Sequence, residues 1–389
     1  MRSVYLDHAA TTPLHPAVVA TMLPYLTENF GNASSVHLFG RKARMALDHA
    51  REIVAEAIGA QLQEIYFTSG GTESDNIAIL GVAKALAEKG KHIITSGIEH
   101  HAVLETCEYL EKQGFAVTYL PVDQHGLVSV ADVAAAIRPD TILISIMHAN
   151  NEVGTIQPIA EIGALAKSKG ILMHTDAVQS MGNLPVNVND LNVDLLAFSA
   201  HKIYGPKGTG VLYVRQGTRI KPIQYGGSQE RKLRPGTENV AGIVGLGKAV
   251  ELAGQELTQR RAHLEKLRDK LAQGLTSVPD VTLNGHAEQR LPGNVNISVK
   301  YVEGESLILS LDMLGIAVSS GSACTSGSLE PSHVLLCMGL DHMQAHGSLR
   351  LTLGRDNTEE DVDYVLQAFP GIVERLRAMS PLYQRERKG

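Results

Sequence analysis

Three side chains in this sequence occupy positions where chemistry could be done. Thr72 follows a glycine pair in "YFTSGGTESDNIAIL", Asp176 ends the apolar run of "GILMHTDAVQS", and Lys202 follows the apolar run of "LLAFSAHKIYGPKG". Glycines and a hydroxyl at a helix start leave backbone N–H groups free for an anion such as phosphate. A capping box between Thr72 and the acids behind it explains the same pattern. A carboxylate at a strand end can partner a ring nitrogen or simply cap a helix. A strand-end lysine is ordinarily a surface charge, but partial desolvation lowers its pKa and lets it condense with an aldehyde. The fourth feature is "SSGSACTSGS", Ser319 to Ser328, in which nine small or polar residues surround one thiol, Cys324. Its composition reads as a mobile linker, and its cysteine allows a loop that carries a nucleophile.

These groups need a scaffold to converge. The runs "EIYFTS", "KHIITS", "AVTYLPV", "TILISIMHA", "GILMHTDA", "LLAFSAH" and "GVLYVR" read as seven strands, most of them separated by amphipathic helical segments such as "DNIAILGVAKALAEKG". Such alternation predicts an α/β fold with a mostly parallel sheet covered on both faces. Ligands of these sheets sit beyond the carboxyl ends of the strands, where Asp176, Ser199 and Lys202 fall. A long helical pattern from Val240 to Val278 follows. After it, "VTLNG", "NVNISV", "GIAVSS", "SLRLTLG" and a closing helix predict a smaller α+β domain, with the boundary near residue 255.

Composition narrows the class of function. The 389 residues exceed one small core and suggest two domains. A net charge of −6 without a basic stripe gives no footprint for nucleic acid. No run reaches signal-peptide or membrane-helix character, so a cytoplasmic protein without membrane contact is expected. Three cysteines, Cys107, Cys324 and Cys337, lack disulfide or metal-ligand spacing. No resident metal is expected, and at least one thiol should be free.

Taken together, a phosphate cup, a strand-end aspartate and a strand-end lysine in this order match the needs of pyridoxal 5′-phosphate: an anchor for its phosphate, a partner for its ring nitrogen and an amine for its aldehyde. The sequence then resembles the class V aminotransferase-like cysteine desulfurases of the NifS/IscS type. The blocks "YLDHAATTP", "GNASSVH", "TSGGTESDN", "EHHAVL", "NNEVGT", "HTDAVQ", "SAHKIYGPKG", "RPGTEN", "SSGSACTSGSLEPSHVL" and "LRLTLG" stand in family order over nearly the whole chain.

The resemblance implies fold type I of the pyridoxal phosphate enzymes, with residues 14–255 as the large domain. Residues 256–389, with segment 1–13, would form the small domain carrying the loop 319–331. It implies that Lys202 bonds the cofactor's aldehyde, that Asp176 pairs with the ring nitrogen and that Gln179 binds the phenolic oxygen. His100 would stack on the ring and help move protons. Gly71, Thr72, Ser199 and His201 would hold the phosphate, with Thr237 completing the site of the other subunit in a homodimer. Asn151 and Arg350 would orient L-cysteine, and Cys324 would take its sulfur as a persulfide for an iron–sulfur scaffold or another acceptor protein. Cys324 could also ligate an iron–sulfur cluster transiently with such a partner. Asn32 and His37 would line the substrate entrance or form turns. His101, Cys107 and Cys337 are expected to be structural, with Cys337 buried in a helix. Rival readings are a selenocysteine lyase or aminotransferase on the same fold, and a catalytically silent scaffold.

Overall fold

The structure is a computed structural model that describes residues 2–320 and 331–386. Cys324 lies outside the described residues, as does the expectation that its loop is mobile.

The seven runs read as strands form one sheet. They are β2 (Ile65–Thr68), β3 (His92–Ser96), β4 (Ala116–Leu120), β5 (Thr141–Ser145), β6 (Leu172–Asp176), β7 (Leu195–Ser199) and β8 (Gly210–Val214), while β1 is the N-terminal pair Val4–Tyr5. Their order is β2-β8-β7-β6-β5-β3-β4. Only β8 runs against its neighbours, pairing antiparallel with both β2 and β7. Every residue of β3, β5, β7 and β8 is buried, which is why these strands read as unbroken apolar runs without alternation.

Helices cover the sheet: α1 (Pro16–Thr27), α2 (Leu38–Ile58), α3 (Gly71–Leu86), α4 (His101–Lys112), α5 (Val130–Ala136), α6 (Ile159–Ser168) and α7 (Val240–Thr276). Helix α2 stops at Gly59, whose φ of 69° supplies the left-handed cap that other residues resist. Helix α7 has 37 residues, about 55 Å at 1.5 Å per residue. Its first half buries Ile243, Leu246, Ala249 and Val250 in the core around the large sheet. Its second half buries Leu264, Leu267, Leu271 and Leu275 in a separate core.

That second core is built on the antiparallel strands β9 (Val281–Leu283), β10 (Asn294–Val299) and β12 (Ser348–Thr352), ordered β12-β10-β9. Strand β11 (Ile316–Ala317) does not join them but pairs in parallel with β1. Helices α8 (Gly304–Asp312), α9 (His333–Cys337), α10 (His342–His346) and α11 (Glu359–Met379) complete the region. Val4 and Leu6 belong to this core, yet a few residues later the Thr12 N–H donates to the His201 carbonyl at 3.0 Å. The N-terminal segment thus crosses from the small core to the carboxyl ends of the large sheet.

Candidate active site

A cavity of about 350 Å³ lies beyond the carboxyl ends of β3, β5, β6 and β7. Gly71, Thr72, His100, Asn151, Asp176, Gln179, Ser199, His201, Lys202 and Arg350 all line it. Thr237, exposed just before α7, is not on its wall, and Cys324 lies outside the described residues.

The phosphate end is a cradle. Helix α3 begins at Gly71 without a side-chain cap; Glu73 instead turns back to accept the Ser69 N–H and pairs with Arg234 at 3.0 Å. No capping box occupies Thr72, so the first N–H groups of the helix and the Thr72 hydroxyl are left for an anion. Ser199, at the end of β7, and His201 form the opposite wall, and Gly70, Gly71, Thr72, Ser199, His201 and Lys207 line a connecting cavity. A Cβ on Gly71 would stand 2.6 Å from Val178 Cγ2, and one on Gly210 would stand 2.6 Å from the Gly70 Cα. Glycine is therefore required for the walls to approach this closely.

At the ring end, Asp176 closes β6, and its Oδ1 accepts the Val178 N–H at 2.8 Å. Burial raises its carboxyl to about 6, against the lowering effects of that N–H and of Lys202. A cationic ring nitrogen would be a natural counter-charge for it. Lys202 Nζ donates to the carbonyls of Ala9 and Ala10 at 2.5 and 2.7 Å, so the N-terminal crossing segment positions the amine. Gln179 Nε2 donates to the Ala9 carbonyl at 3.0 Å. His100 caps α4, its Nδ1 accepting the Ala102 N–H at 3.1 Å. Burial, with Lys202 and His101 nearby, holds its imidazole near 4, so it is neutral. His201 is likewise pushed to about 4 by burial and its lysine neighbours. An anion cradle, a buried carboxylate and a held amine around one cavity fit pyridoxal phosphate.

The substrate end belongs to Arg350 on β12, only 2% exposed. Its Nη1 donates to the Asn151 carbonyl at 3.1 Å and its Nη2 to Asp7 Oδ1 at 2.9 Å. Its Nε, although buried, has no hydrogen-bond partner among the described residues. Ser319 forms a two-way backbone bridge to Arg350, at 3.1 and 2.7 Å. On the other side of segment 321–330, the Ser332 hydroxyl donates to Glu152, a lining carboxyl that burial raises to about 7. Both described ends of the cysteine segment are thereby pinned at the cavity.

Four titratable lining residues were not singled out as functional from sequence: Asp75, Glu152, His101 and His333. His101, expected to be structural, lines the cavity, and its ring centroid lies 4.9 Å from that of His333. Asp75 is buried, its carboxyl raised well above the usual range by burial and by the nearby acids Asp176 and Glu99. Cys337 ends α9 as expected but is exposed, its Sγ donating to the Gly97 carbonyl at 3.3 Å. The expected burial of Cys337 is corrected, because a five-residue helix buries only one side. Cys107 is buried and pushed up to about 12 by burial and neighbouring acids. Asn32 and His37 are absent from the cavity wall. Asn32 Oδ1 accepts the Ser34 N–H, and His37 Nδ1 caps α2 through the Gly40 N–H.

The class-V aminotransferase family model matches residues 4–365. A curated relative, the cysteine desulfurase IscS of Methanosarcina thermophila, is 60% identical over 385 residues, covering 99% of this chain and 95% of its own. The cysteine desulfurase IscS of Dictyoglomus turgidum is 58% identical and covers 98% of each chain. A solved structure described as a NifS-like protein superposes with a TM-score of 0.91 at 42% identity, over 96% of this chain and 100% of that one.

Proposed function

This chain belongs to the class V aminotransferase family, and from that premise we propose that it is a pyridoxal-phosphate-dependent cysteine desulfurase, in keeping with the names of its relatives. L-Cysteine is converted to L-alanine, and the sulfur passes through Cys324 to an acceptor protein. One observation carries the reading: Lys202, Asp176 and Arg350 face a single cavity whose rim holds both described ends of the cysteine segment.

Bound pyridoxal phosphate supplies an aldehyde for amino groups and a ring that accepts electron density from the substrate. Gly71, Thr72, Ser199 and His201 hold its phosphate, and Gln179 its phenolic oxygen. Asp176 keeps the proton on the ring nitrogen. Arg350 and Asn151 orient the substrate carboxylate, the guanidinium using donors that a planar carboxylate matches. Lys202 Nζ takes the α-proton and returns a proton to the carbon skeleton. Cys324 sulfur attacks the substrate sulfur: an S–S bond forms, the C–S bond breaks, and the bonding pair remains with carbon, which is protonated to alanine. Of the two thiol protons, one stays on the persulfide and the other balances the new C–H bond.

A homodimer follows from the same reading. Leu23, Leu26, Phe30, Val36, Leu38, Phe39 and Met45 are exposed apolar side chains on α1, α2 and the loop between them, with Val36 88% exposed. Such exposure marks an interaction face. Thr237 adjoins it, since its neighbour Glu238 lies 3.8 Å from Arg44 of α2, and it completes the phosphate site of the second subunit. Residues 14–255 form the large domain, and 256–389 with 1–13 the small one. No helix among the described residues is long and apolar enough to cross a membrane; the protein works in the cytoplasm, delivering sulfur to iron–sulfur scaffolds or thiolation partners.

The test is incubation with cofactor and L-cysteine, followed by measurement of alanine, sulfide and the mass of the Cys324 peptide. Lys202→Ala should lose the visible absorbance of bound cofactor. Cys324→Ala should keep that absorbance and form no persulfide. Full turnover by Cys324→Ala would favour an aminotransferase and overturn the proposal.

A further inference from the structure

The cavity wall contains a proton acceptor that the reaction has not yet been assigned. His333, the first residue of α9, places Nε2 3.0 Å from the Glu99 carbonyl. A carbonyl only accepts, so the ring proton sits on Nε2 and Nδ1 carries the lone pair. That Nδ1 has no hydrogen-bond partner among the described residues, and His333 lines the cavity. Burial, together with His101 and His100, lowers its pKa against the raising effect of the carbonyl bond, so the ring is neutral.

His100 has the opposite polarity. Its Nδ1 lone pair is committed to the Ala102 N–H, so the neutral ring carries its proton on Nε2 and can only donate from there. The His101 ring lies between the two, with centroids 6.3 Å from His100 and 4.9 Å from His333. The histidine wall therefore offers a fixed donor at one position and a fixed acceptor at another.

The position of the acceptor identifies its ligand. On the proposed reading Arg350 takes the substrate carboxylate and Lys202 the α-proton, which leaves His333 as a cavity-lining base without an assigned role. It follows Pro331 and Ser332, from which the chain leads back to Cys324. Resting on the desulfurase reading, we propose that His333 Nδ1 is the acceptor for the substrate thiol: it receives the S–H hydrogen bond, aims the sulfur, and takes that proton once the sulfur has become the terminal atom of a persulfide. In this step the S–H bond breaks, the Nδ1–H bond forms, and the electron pair stays on the terminal sulfur; no oxidant or reductant is needed. A persulfide is more acidic than a thiol, which eases the transfer, and the lowered imidazole can pass the proton on. The titratable or charged groups around His333 are Glu99, His100, His101, Glu152 through Ser332, Cys337 one turn along α9, and Arg350 on β12.

His333→Gln isolates the acceptor, because its side-chain amide can still donate to the Glu99 carbonyl but offers no basic nitrogen. Cofactor absorbance and the spectral affinity for L-alanine, which lacks a thiol, should match the parent. The kcat/KM for L-cysteine should fall by about 100-fold or more, the range of a lost acid–base group. In His333→Ala, added imidazole should restore part of the rate saturably. Turnover of L-cysteine by His333→Gln within about twofold of the parent, an equal loss of L-alanine affinity, or no rescue by imidazole would each overturn the assignment. The parent enzyme is the control for the underlying reading: if it releases no alanine from L-cysteine, the desulfurase proposal itself fails.

Discussion

Replacing Arg350 by lysine keeps the positive charge and removes the planar fork. The guanidinium already uses Nη1 on the Asn151 carbonyl and Nη2 on Asp7, while its buried Nε has no partner among the described residues. A lysine ammonium can hold Asp7 as a point charge, but it cannot also present two parallel donors to a substrate carboxylate. The expected loss is one charge-assisted hydrogen bond, about 1.5–3 kcal/mol, which converts to roughly 10- to 150-fold in kcat/KM for L-cysteine. The loss should fall mainly on KM, because carboxylate binding is made equally in the ground and transition states. Steady-state alanine release measures it, and the visible absorbance of bound cofactor should be unchanged because Arg350 serves the substrate. Arg350→Lys with kcat/KM within about twofold of the parent would refute the role assigned to the fork.

Glu99 is fully buried, with Oε1 bonded to Ser96 and Met147 and Oε2 without a partner among the described residues; burial raises it to about 8. A carboxyl whose folded pKa is raised keeps its proton in the native state, so its stabilising effect is complete below the unfolded value near 4.5 and is lost as pH rises towards 8. Glu99→Gln should therefore gain stability relative to the parent between pH 5 and 8, by on the order of a few kcal/mol; a parent-to-variant difference in Tm that does not change with pH would sink this. Gly71→Ala would drive a Cβ to 2.6 Å from Val178 Cγ2, so cofactor affinity should drop by about 10-fold for a cost near 1.4 kcal/mol. Unchanged affinity in a fluorescence titration would contradict the cradle. Phe39→Glu places a charge in the exposed apolar surface where Phe30 and Phe39 stack at 5.5 Å; sedimentation should then find monomers, and an intact dimer would remove this surface from the interface.

The large sheet was legible because its strands are buried on both faces and carry little but apolar residues, so length and spacing revealed them. Lys202, Asp176 and Thr72 were legible for a related reason: polar residues that interrupt such runs at their ends have few structural reasons to be there. His333 and Asp75 were hidden inside quoted blocks because their importance depends on burial and on neighbours supplied by other elements. Asp75 lies on α3, while the Asp176 that raises it lies on β6. Cys337 was misread since composition cannot say which side of a five-residue helix meets a core. The run containing β11 was recognised as extended, but its partner was not. Val4 pairs with Ile316, and a two-residue strand has no periodicity from which to choose a neighbour.

The crossing N-terminal segment also sets a timetable for synthesis. Asp7 finds Arg350 only 343 positions later, and at a translation rate of about 5–20 residues per second that is a wait of roughly 20–70 s. Through most of it, Val4 and Leu6 lack the strands that bury them, since the first of these, β9, begins only at Val281. Lys202 appears on the ribosome well before its neighbour Arg350 does. Premature capture of the cofactor by a half-made chain would thus meet a cavity without its substrate wall, and competence to process an amino acid comes only when nearly the entire chain has been made.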